Sequence, residues 1–172
     1  MDVFADADSW TGQPFKLGSP EHLLMLTVVV VAQVLLIKRF RPADDDTKRK
    51  VRLALVGALW SQEASYHAWR LLNGTWTRKQ MLPLHLCSVE VWMGGLMLLT
   101  RSYRLYEYVY FGALVGAIMA VVTPDAGPFG FPHYRFFQFF VSHGLIAAAP
   151  LWMTFGEGFR PTARSLGRAI VG

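Results

Sequence analysis

The sequence is poor in cysteine, with Cys87 alone among its 172 residues. One cysteine cannot form a disulfide within the chain, and a structural zinc site built from several cysteines is excluded. The chain also lacks an HExxH motif and any cysteine and histidine pair at the spacing of zinc ligands. We therefore expect no cofactor and no standard metal motif.

We also expect no cleavable signal peptide. Residues 1–20 begin with Asp2, Asp6 and Asp8, and they lack a basic region followed by an apolar core. We expect the first hydrophobic helix to direct insertion into the membrane.

Charged residues are scarce, at 17% of the chain, whereas hydrophobic residues make up 53%. The mean hydropathy is +0.29, which favours a bilayer over water as the solvent. The net charge of +5 arises from Lys and Arg gathered in connecting segments, so it does not indicate nucleic-acid binding. The predicted partners are membrane lipids, with an acyl-chain substrate possible and the oligomeric state open.

Five segments approach the roughly 20 residues that a transmembrane helix needs. They are residues 20–37, 51–72, 82–100, 103–122 and 133–155. The predicted fold class is all-α, a polytopic transmembrane helix bundle that forms a single domain over residues 1–172. Residues 165–172 resemble the approach to another apolar helix, so we expect the chain to be truncated before further helices.

The basic residues predict the orientation of this bundle. Six Lys and Arg residues lie between the first two segments and Arg52 follows at the start of the second, so the positive-inside rule predicts a cytoplasmic loop at residues 38–50. The tail, residues 156–172, is then also cytoplasmic, and residues 1–19 form an outer segment. This pattern predicts a multi-pass protein of the cell membrane with its N-terminus outside.

In this topology the histidines lie toward the outer side. His22, His67, His85 and His133 fall in the outer parts of their segments, and His143 approaches the middle of the membrane. We interpret His22 and His133 as interfacial residues. The clustering of the others indicates an outer-facing polar pocket.

A polar stripe marks the second segment. Glu63, His67 and Arg70 are spaced at i, i+4 and i+7 and share one helix face. Such a stripe either satisfies its own polar groups inside the bundle or binds a ligand, and the spacing leaves both interpretations open.

The third segment contains His85, Cys87 and Glu90 in an otherwise apolar run. Two residues advance a helix by about 200°, so His85 and Cys87 are predicted to face different ways. Cys87 would therefore need a base from another helix, and His143 is the best candidate. An adjacent imidazole can convert a thiol to the nucleophilic thiolate, although a lone cysteine in an apolar helix is more often a small hydrophobic packing residue.

Two further classes of function remain open from the residues alone. A metal site would use Glu63, His67, His85 and His143 if their faces converge. A transport or channel role would depend on the intramembrane polar residues Gln33, Glu63 and Glu90.

Several stretches resemble the bacterial YwaF-type integral membrane proteins and, more distantly, the eukaryotic transmembrane acyltransferases of ether-phospholipid remodelling. The most specific are Leu-Pro-Leu-His-Leu-Cys at 82–87 and the aromatic run at 133–140 followed by Ser-His-Gly at 142–144. Shorter matches lie at residues 19–23, 105–107, 123–125 and 153–161. The resemblance covers nearly all of residues 19–162.

The resemblance implies a catalytic pair, because the eukaryotic relatives use a membrane-embedded cysteine and a histidine on a later helix. By position these are Cys87 and His143, although the cysteine of those relatives follows Asn-Pro and not Leu-His-Leu. The expected function is transfer or hydrolysis of an acyl group of a membrane lipid. The expected supporting residues, which would orient an imidazole or bind an oxyanion or phosphate, are Glu63, Glu90, His67, His85, Arg70 and Arg135. The alternative is a non-enzymatic membrane protein that binds or moves a small molecule or metal through the outer-facing pocket.

Overall fold

The computed structural model describes residues 2–82, 85–125 and 127–171. Within these ranges the chain is helical and contains no strand. The helices in chain order are α1 (Pro20–Phe40), α2 (Asp45–Leu72), α3 (Arg78–Met81), α4 (Leu86–Thr100), α5 (Tyr103–Val122), α6 (Tyr134–Phe155) and α7 (Ala163–Val171). The prediction of an all-α polytopic bundle is confirmed.

Three helices, α1, α5 and α6, are long and apolar enough to cross a membrane. Helix α4 is apolar but only 15 residues long, and α2 is longer, at 28 residues, but more polar. Each of the five predicted segments is occupied by one of the helices α1, α2, α4, α5 and α6 over most of its described length, and the predicted range 103–122 agrees with α5 at both ends.

The predicted start of the second helix was wrong by six residues. Helix α2 begins at Asp45, within the segment 38–50 that was expected to be a loop. The physical cause is a cap, because the side chain of Asp44 accepts a hydrogen bond of 2.7 Å from the Thr47 amide. The connection between α1 and α2 is therefore short. The basic residues at the end of the expected loop lie in the first turns of α2.

The predicted start of the third membrane segment, near Leu82, was also wrong. Leu82 has an extended backbone, with ψ of 139°, at the end of the short helix α3, and α4 begins only at Leu86. A residue that precedes proline is disfavoured in the helical conformation, which explains the break at Leu82. The expected place of Pro83 in the first turn lies outside the described residues.

The core of the bundle lies between α2, α4, α5 and α6. Its fully buried side chains include Leu59, Met97, Leu98, Tyr106 and Trp152. Helix α1 is peripheral and packs chiefly against α6. Its remaining surface is apolar and exposed, as expected for a helix that faces lipid.

Residues 2–19 fold over the end of the bundle where α2 stops and α6 starts, which we call the N-terminal end. The Tyr134 amide donates to the Val3 carbonyl at 2.8 Å, and the Gly130 amide donates to the Gln13 carbonyl at 3.1 Å. The Trp69 indole donates to the Phe4 carbonyl at 2.8 Å. Residues 2–19 are thus an ordered part of the fold.

The opposite end is organised around Glu157, which follows α6. Its carboxylate is 3% exposed and contacts Arg52 at the start of α2 and Arg101 after α4, the latter at 3.1 Å. We call this the basic end, because most of the Lys and Arg residues lie in the connections that meet there or in the adjoining helix turns.

Candidate functional site

A polar pocket of about 120 Å³ lies between α2, α4 and α6. Its lining residues are Glu63, Tyr66, Cys87, Ser88, Val91, Arg135, Gln138, Phe139, Ser142 and His143. Cys87 and His143, which are 56 residues apart in sequence, both line this pocket. The fold therefore brings the two residues of the expected pair to one cavity.

Cys87 is the second residue of α4 and is partly buried. The break between α3 and α4 determines this position, because a helix that began near Leu82 would place Cys87 in its second turn. Residues at a helix start lie beside amide groups that have no acceptor within the helix. Among the described residues no side chain caps this start, so these amides keep their capacity to bind an oxygen atom.

His143 lies in the middle of α6 and is held by its own helix. Its Nδ1 is 2.8 Å from the carbonyl oxygen of Phe139. A carbonyl only accepts hydrogen bonds, so Nδ1 carries the proton and Nε2 carries the lone pair in the neutral ring. Nε2 has no hydrogen-bond partner in the part of the chain that the structure describes, and it can accept a proton.

The two histidines predicted to be interfacial are instead buried and structural. His22 is 3% exposed, and its ring bonds the Val121 carbonyl at 2.9 Å and the Gly18 amide at 3.0 Å. His133 is fully buried and bonds the Ala5 carbonyl at 2.9 Å. Both rings join a loop to the bundle.

His67 and Glu63 form part of the predicted polar stripe. His67 Nδ1 accepts a hydrogen bond of 3.1 Å from the Trp76 indole, and its Nε2 lies 3.6 Å from Glu63 Oε1. Glu63 is buried and lines the pocket, whereas His67 does not line it. On one side of the stripe His67 therefore contacts Trp76 and Glu63. On the other side Glu63 presents its carboxylate to the pocket.

A network of polar side chains holds Arg135, the cation that lines the pocket, in place. Arg135 donates to Gln138 Oε1, and its guanidinium lies 4.1 Å from the centre of the Tyr66 ring. Gln138 in turn donates to Gln62 Oε1 on α2 at 2.9 Å. These bonds link α2 and α6 and hold a positive charge at the pocket wall.

The other predicted supporting residues lie outside the pocket lining. His85 is exposed and precedes α4, and the Arg70 guanidinium lies 5.7 Å from the Tyr66 ring. Glu90 is buried and packs against α5 at Gly112, where a Cβ atom would lie 2.1 Å from Glu90 Oε1. Of the eight predicted residues, Glu63, Cys87, Arg135 and His143 share the pocket.

Sequence reasoning missed Tyr66, Ser88, Gln138 and Ser142. A signal was present for three of them. Arg135, Gln138 and Ser142 are spaced at i, i+3 and i+7 in a segment rich in phenylalanine, and Tyr66 lies at i+3 from Glu63 on the polar stripe of the second segment. No such pattern distinguishes Ser88.

An apolar groove of about 560 Å³ runs between α1, α5 and α6. Its walls include Val29, Val34, Ile118 and Leu151, and His143 lines it as well. His143 therefore lies between a polar pocket and an apolar groove. The metal-binding set expected as an alternative is not assembled, because no group of three or more His, Cys, Asp or Glu side chains suited to a metal ion occurs within the described ranges.

These features define a polytopic helical membrane protein with a polar pocket enclosed by three of its helices. The model of the TMEM164 family matches residues 17–172, so the chain belongs to the TMEM164 family. Comparison with curated proteins and with solved structures found no match.

Proposed function

We propose that this protein transfers or hydrolyses an acyl group of a membrane lipid, with Cys87 as the nucleophile and His143 as the general base. The observation that carries the proposal is the position of His143, which lines both the pocket that contains Cys87 and the apolar groove. A lipid ester has the same two parts, a polar carboxyl group and a long apolar chain. The groove accommodates the chain, and the pocket accommodates the ester.

The first half of the reaction forms a thioester. His143 Nε2 takes the thiol proton of Cys87, and the sulfur attacks the ester carbonyl carbon. The carbon–oxygen bond then breaks, and the departing lysolipid oxygen takes the proton from the imidazolium. The acyl group remains on Cys87, and the lysolipid leaves as an alcohol.

The second half releases the acyl group. An acceptor hydroxyl or a water molecule gives its proton to His143 Nε2, and its oxygen attacks the thioester carbonyl. The carbon–sulfur bond breaks, and the thiolate takes back the proton. A lipid hydroxyl as acceptor gives acyl transfer, and water gives hydrolysis.

Two features of the pocket support the charges that arise in these steps. The amide groups at the start of α4 lie beside Cys87 and can donate to the oxygen of the tetrahedral intermediate. Arg135, held by Gln138 and Tyr66, supplies a fixed cation for an anionic headgroup. The resemblance to YwaF-type proteins and to ether-phospholipid acyltransferases favours the same pair of residues.

The test is an acyl-exchange assay on the full chain reconstituted in phosphatidylcholine vesicles with labelled phospholipid and lysophospholipid. Cys87→Ser and His143→Gln should each lower the exchange rate by about 10² to 10⁴ or more. Acyl label bound to the wild-type protein should be released by hydroxylamine, as expected of a thioester, and Cys87→Ser should carry no such label.

The matched control is His85→Gln, which removes an exposed histidine two residues from Cys87. This variant should keep wild-type exchange. Full exchange in either Cys87→Ser or His143→Gln would contradict the mechanism and would favour a non-enzymatic protein that binds a small ligand in the pocket.

We also infer that the basic end faces the cytoplasm of the cell membrane and that residues 2–19 lie outside. The support is the meeting of Arg52 and Arg101 at Glu157, because short loops rich in Lys and Arg remain in the cytoplasm. In a Cys87→Ser background, an impermeant maleimide added to intact cells should label Asp8→Cys and not Arg49→Cys. The reverse pattern would overturn this orientation.

A further inference from the structure

We propose that a second pocket, at the basic end, binds a phosphate group, and that its natural occupant is the headgroup of an anionic phospholipid that is not the acyl substrate. The pocket has a volume of about 360 Å³ and lies where α1, the start of α2 and the end of α6 meet. Its lining residues are Arg41, Lys48, Thr154, Phe155, Gly156, Glu157, Gly158 and Arg160.

The balance of charge in this pocket is positive. Glu157 is its one acidic lining residue, and its two oxygens contact Arg52 and Arg101, which do not line the pocket. Arg41, Lys48 and Arg160 therefore contribute three positive charges, and no acidic side chain within the described ranges forms an ion pair with them. Of the three acids before Lys48, Asp44 caps α2, Asp46 pairs with Lys50 at 2.6 Å, and Asp45 forms no ion pair with Lys48 within the described ranges.

Some of the backbone carbonyls near this pocket that would repel an anion are already bonded. The C-terminal carbonyls of a helix carry partial negative charge, and α6 ends at this pocket. The carbonyl of Trp152 accepts from the Gly156 amide at 2.7 Å, and that of Met153 accepts from the Phe159 amide at 2.9 Å. The carbonyl of Arg160 accepts from the Tyr103 hydroxyl at 2.5 Å, which holds this residue at the pocket wall.

The source of the phosphate follows from what lies next to the pocket. Phe155 lines both this pocket and the apolar groove between α1, α5 and α6. A phosphate in the pocket therefore has an apolar channel beside it, which suits a headgroup with its acyl chain attached. Basic pockets between helices at the cytoplasmic boundary bind anionic headgroups in the same way.

This lipid is distinct from the substrate of the proposed reaction. Twelve residues of α6 separate His143 from Phe155, which corresponds to about 18 Å along the helix axis. The ester bonds of a phospholipid lie within a few bonds of its phosphate. A lipid whose phosphate is at the basic end cannot place its ester at His143, so this pocket is a separate binding site.

The experiment uses the purified full chain in a neutral detergent, titrated with dioleoylphosphatidylglycerol or dioleoylphosphatidylcholine and read by native mass spectrometry. Phosphatidylglycerol should bind more tightly than phosphatidylcholine. Lys48→Gln/Arg160→Gln should weaken phosphatidylglycerol binding by about fivefold for each cation removed, or roughly 25-fold in total. The single variant Lys48→Gln should show about a fivefold loss and replaces the double variant if that protein does not fold.

The matched control is Arg39→Gln/Arg49→Gln, which removes the same charge at the same end from residues outside the pocket lining. Its affinity for phosphatidylglycerol should equal that of the wild type. An equal loss in this control, or no preference for phosphatidylglycerol, would overturn the proposal. Inorganic phosphate at 10 mM distinguishes a free phosphate ligand from a lipid headgroup. Displacement of phosphatidylglycerol would assign the pocket to free phosphate and overturn the proposal. No displacement assigns the pocket to the lipid headgroup.

Discussion

Gly130 lies where the N-terminal segment is closest to the loop before α6, and its substitution by alanine should release that segment. A Cβ atom at Gly130 would lie 2.5 Å from the Gln13 carbonyl oxygen and 2.8 Å from that of Pro14. A carbon and a carbonyl oxygen in contact are normally about 3.3 Å apart, so the two segments must separate by about 0.8 Å. Both obstacles are backbone atoms, and no side-chain rotation relieves the clash.

The expected cost has two parts. Overpacking of a closely packed site costs about 1–3 kcal/mol. The separation also weakens the hydrogen bond of 3.1 Å from the Gly130 amide to Gln13, which contributes about 1 kcal/mol. Together these effects lower the free energy of opening of residues 2–19 by about 2–4 kcal/mol, which corresponds to roughly 30- to 1000-fold in the opening equilibrium.

Hydrogen exchange measured by mass spectrometry on the detergent-purified protein tests this prediction. The Tyr134 amide, which donates to Val3, should exchange faster by this factor in Gly130→Ala, up to the limit set by the unprotected amide. Gly57→Ala in α2 is the control, because a Cβ there has no atom within 4 Å. It should leave this exchange unchanged and stabilise α2 by about 1 kcal/mol. Wild-type protection of Tyr134 in Gly130→Ala would refute the reasoning.

Two other predictions concern the same bundle. Burial lowers the pKa of His133, because the charged imidazolium loses its hydration there, and this effect outweighs the opposing hydrogen bond to the Ala5 carbonyl. Unfolding therefore takes up a proton below the unfolded value of about 6.5. Stability in thermal unfolding should therefore fall as the pH decreases from about 6.5, and His133→Gln should flatten this slope; an equal slope in the variant would contradict the assignment. Gly95→Ala places a Cβ 2.4 Å from the rigid indole of Trp60 and should cost about 1–3 kcal/mol. The cost should vanish in a Trp60→Ala background, and an additive double mutant would show that the clash is not its cause.

The fold class followed from the sequence because hydropathy and helix length depend on many residues at once. Boundaries depended on single residues. The cap at Asp44 extended α2, and the position of Leu82 before a proline delayed α4. The capping aspartate and the proline after Leu82 were both visible in the sequence. Whether each of them begins or ends a helix depended on which local backbone conformation, helical or extended, the surrounding bundle stabilises.

The candidate site was predictable only in part. Helical spacing placed Glu63 on a polar face, but the convergence of Cys87 and His143 on one pocket depends on how α4 and α6 pack, which spacing within one helix does not contain. The hydrogen bond between Gln138 and Gln62 likewise depends on how two helices pack against each other. No residue pattern predicted that residues 2–19 are ordered. Many of the hydrogen bonds that hold this segment use backbone groups, which every residue carries.

The position of His143 between two cavities follows from the geometry of α6. At about 100° per residue, the side chains that line the polar pocket, at 135, 138, 139 and 142, lie between about 40° and 140° on one side of residue 143. Those that line the apolar groove, at 147, 151 and 155, lie between about 40° and 120° on the other side. Residue 143 lies between these two arcs. A histidine at position 142 or 147 would reach one cavity alone, so the contact of one residue with both the apolar groove and the pocket that contains Cys87 depends on this single helical position.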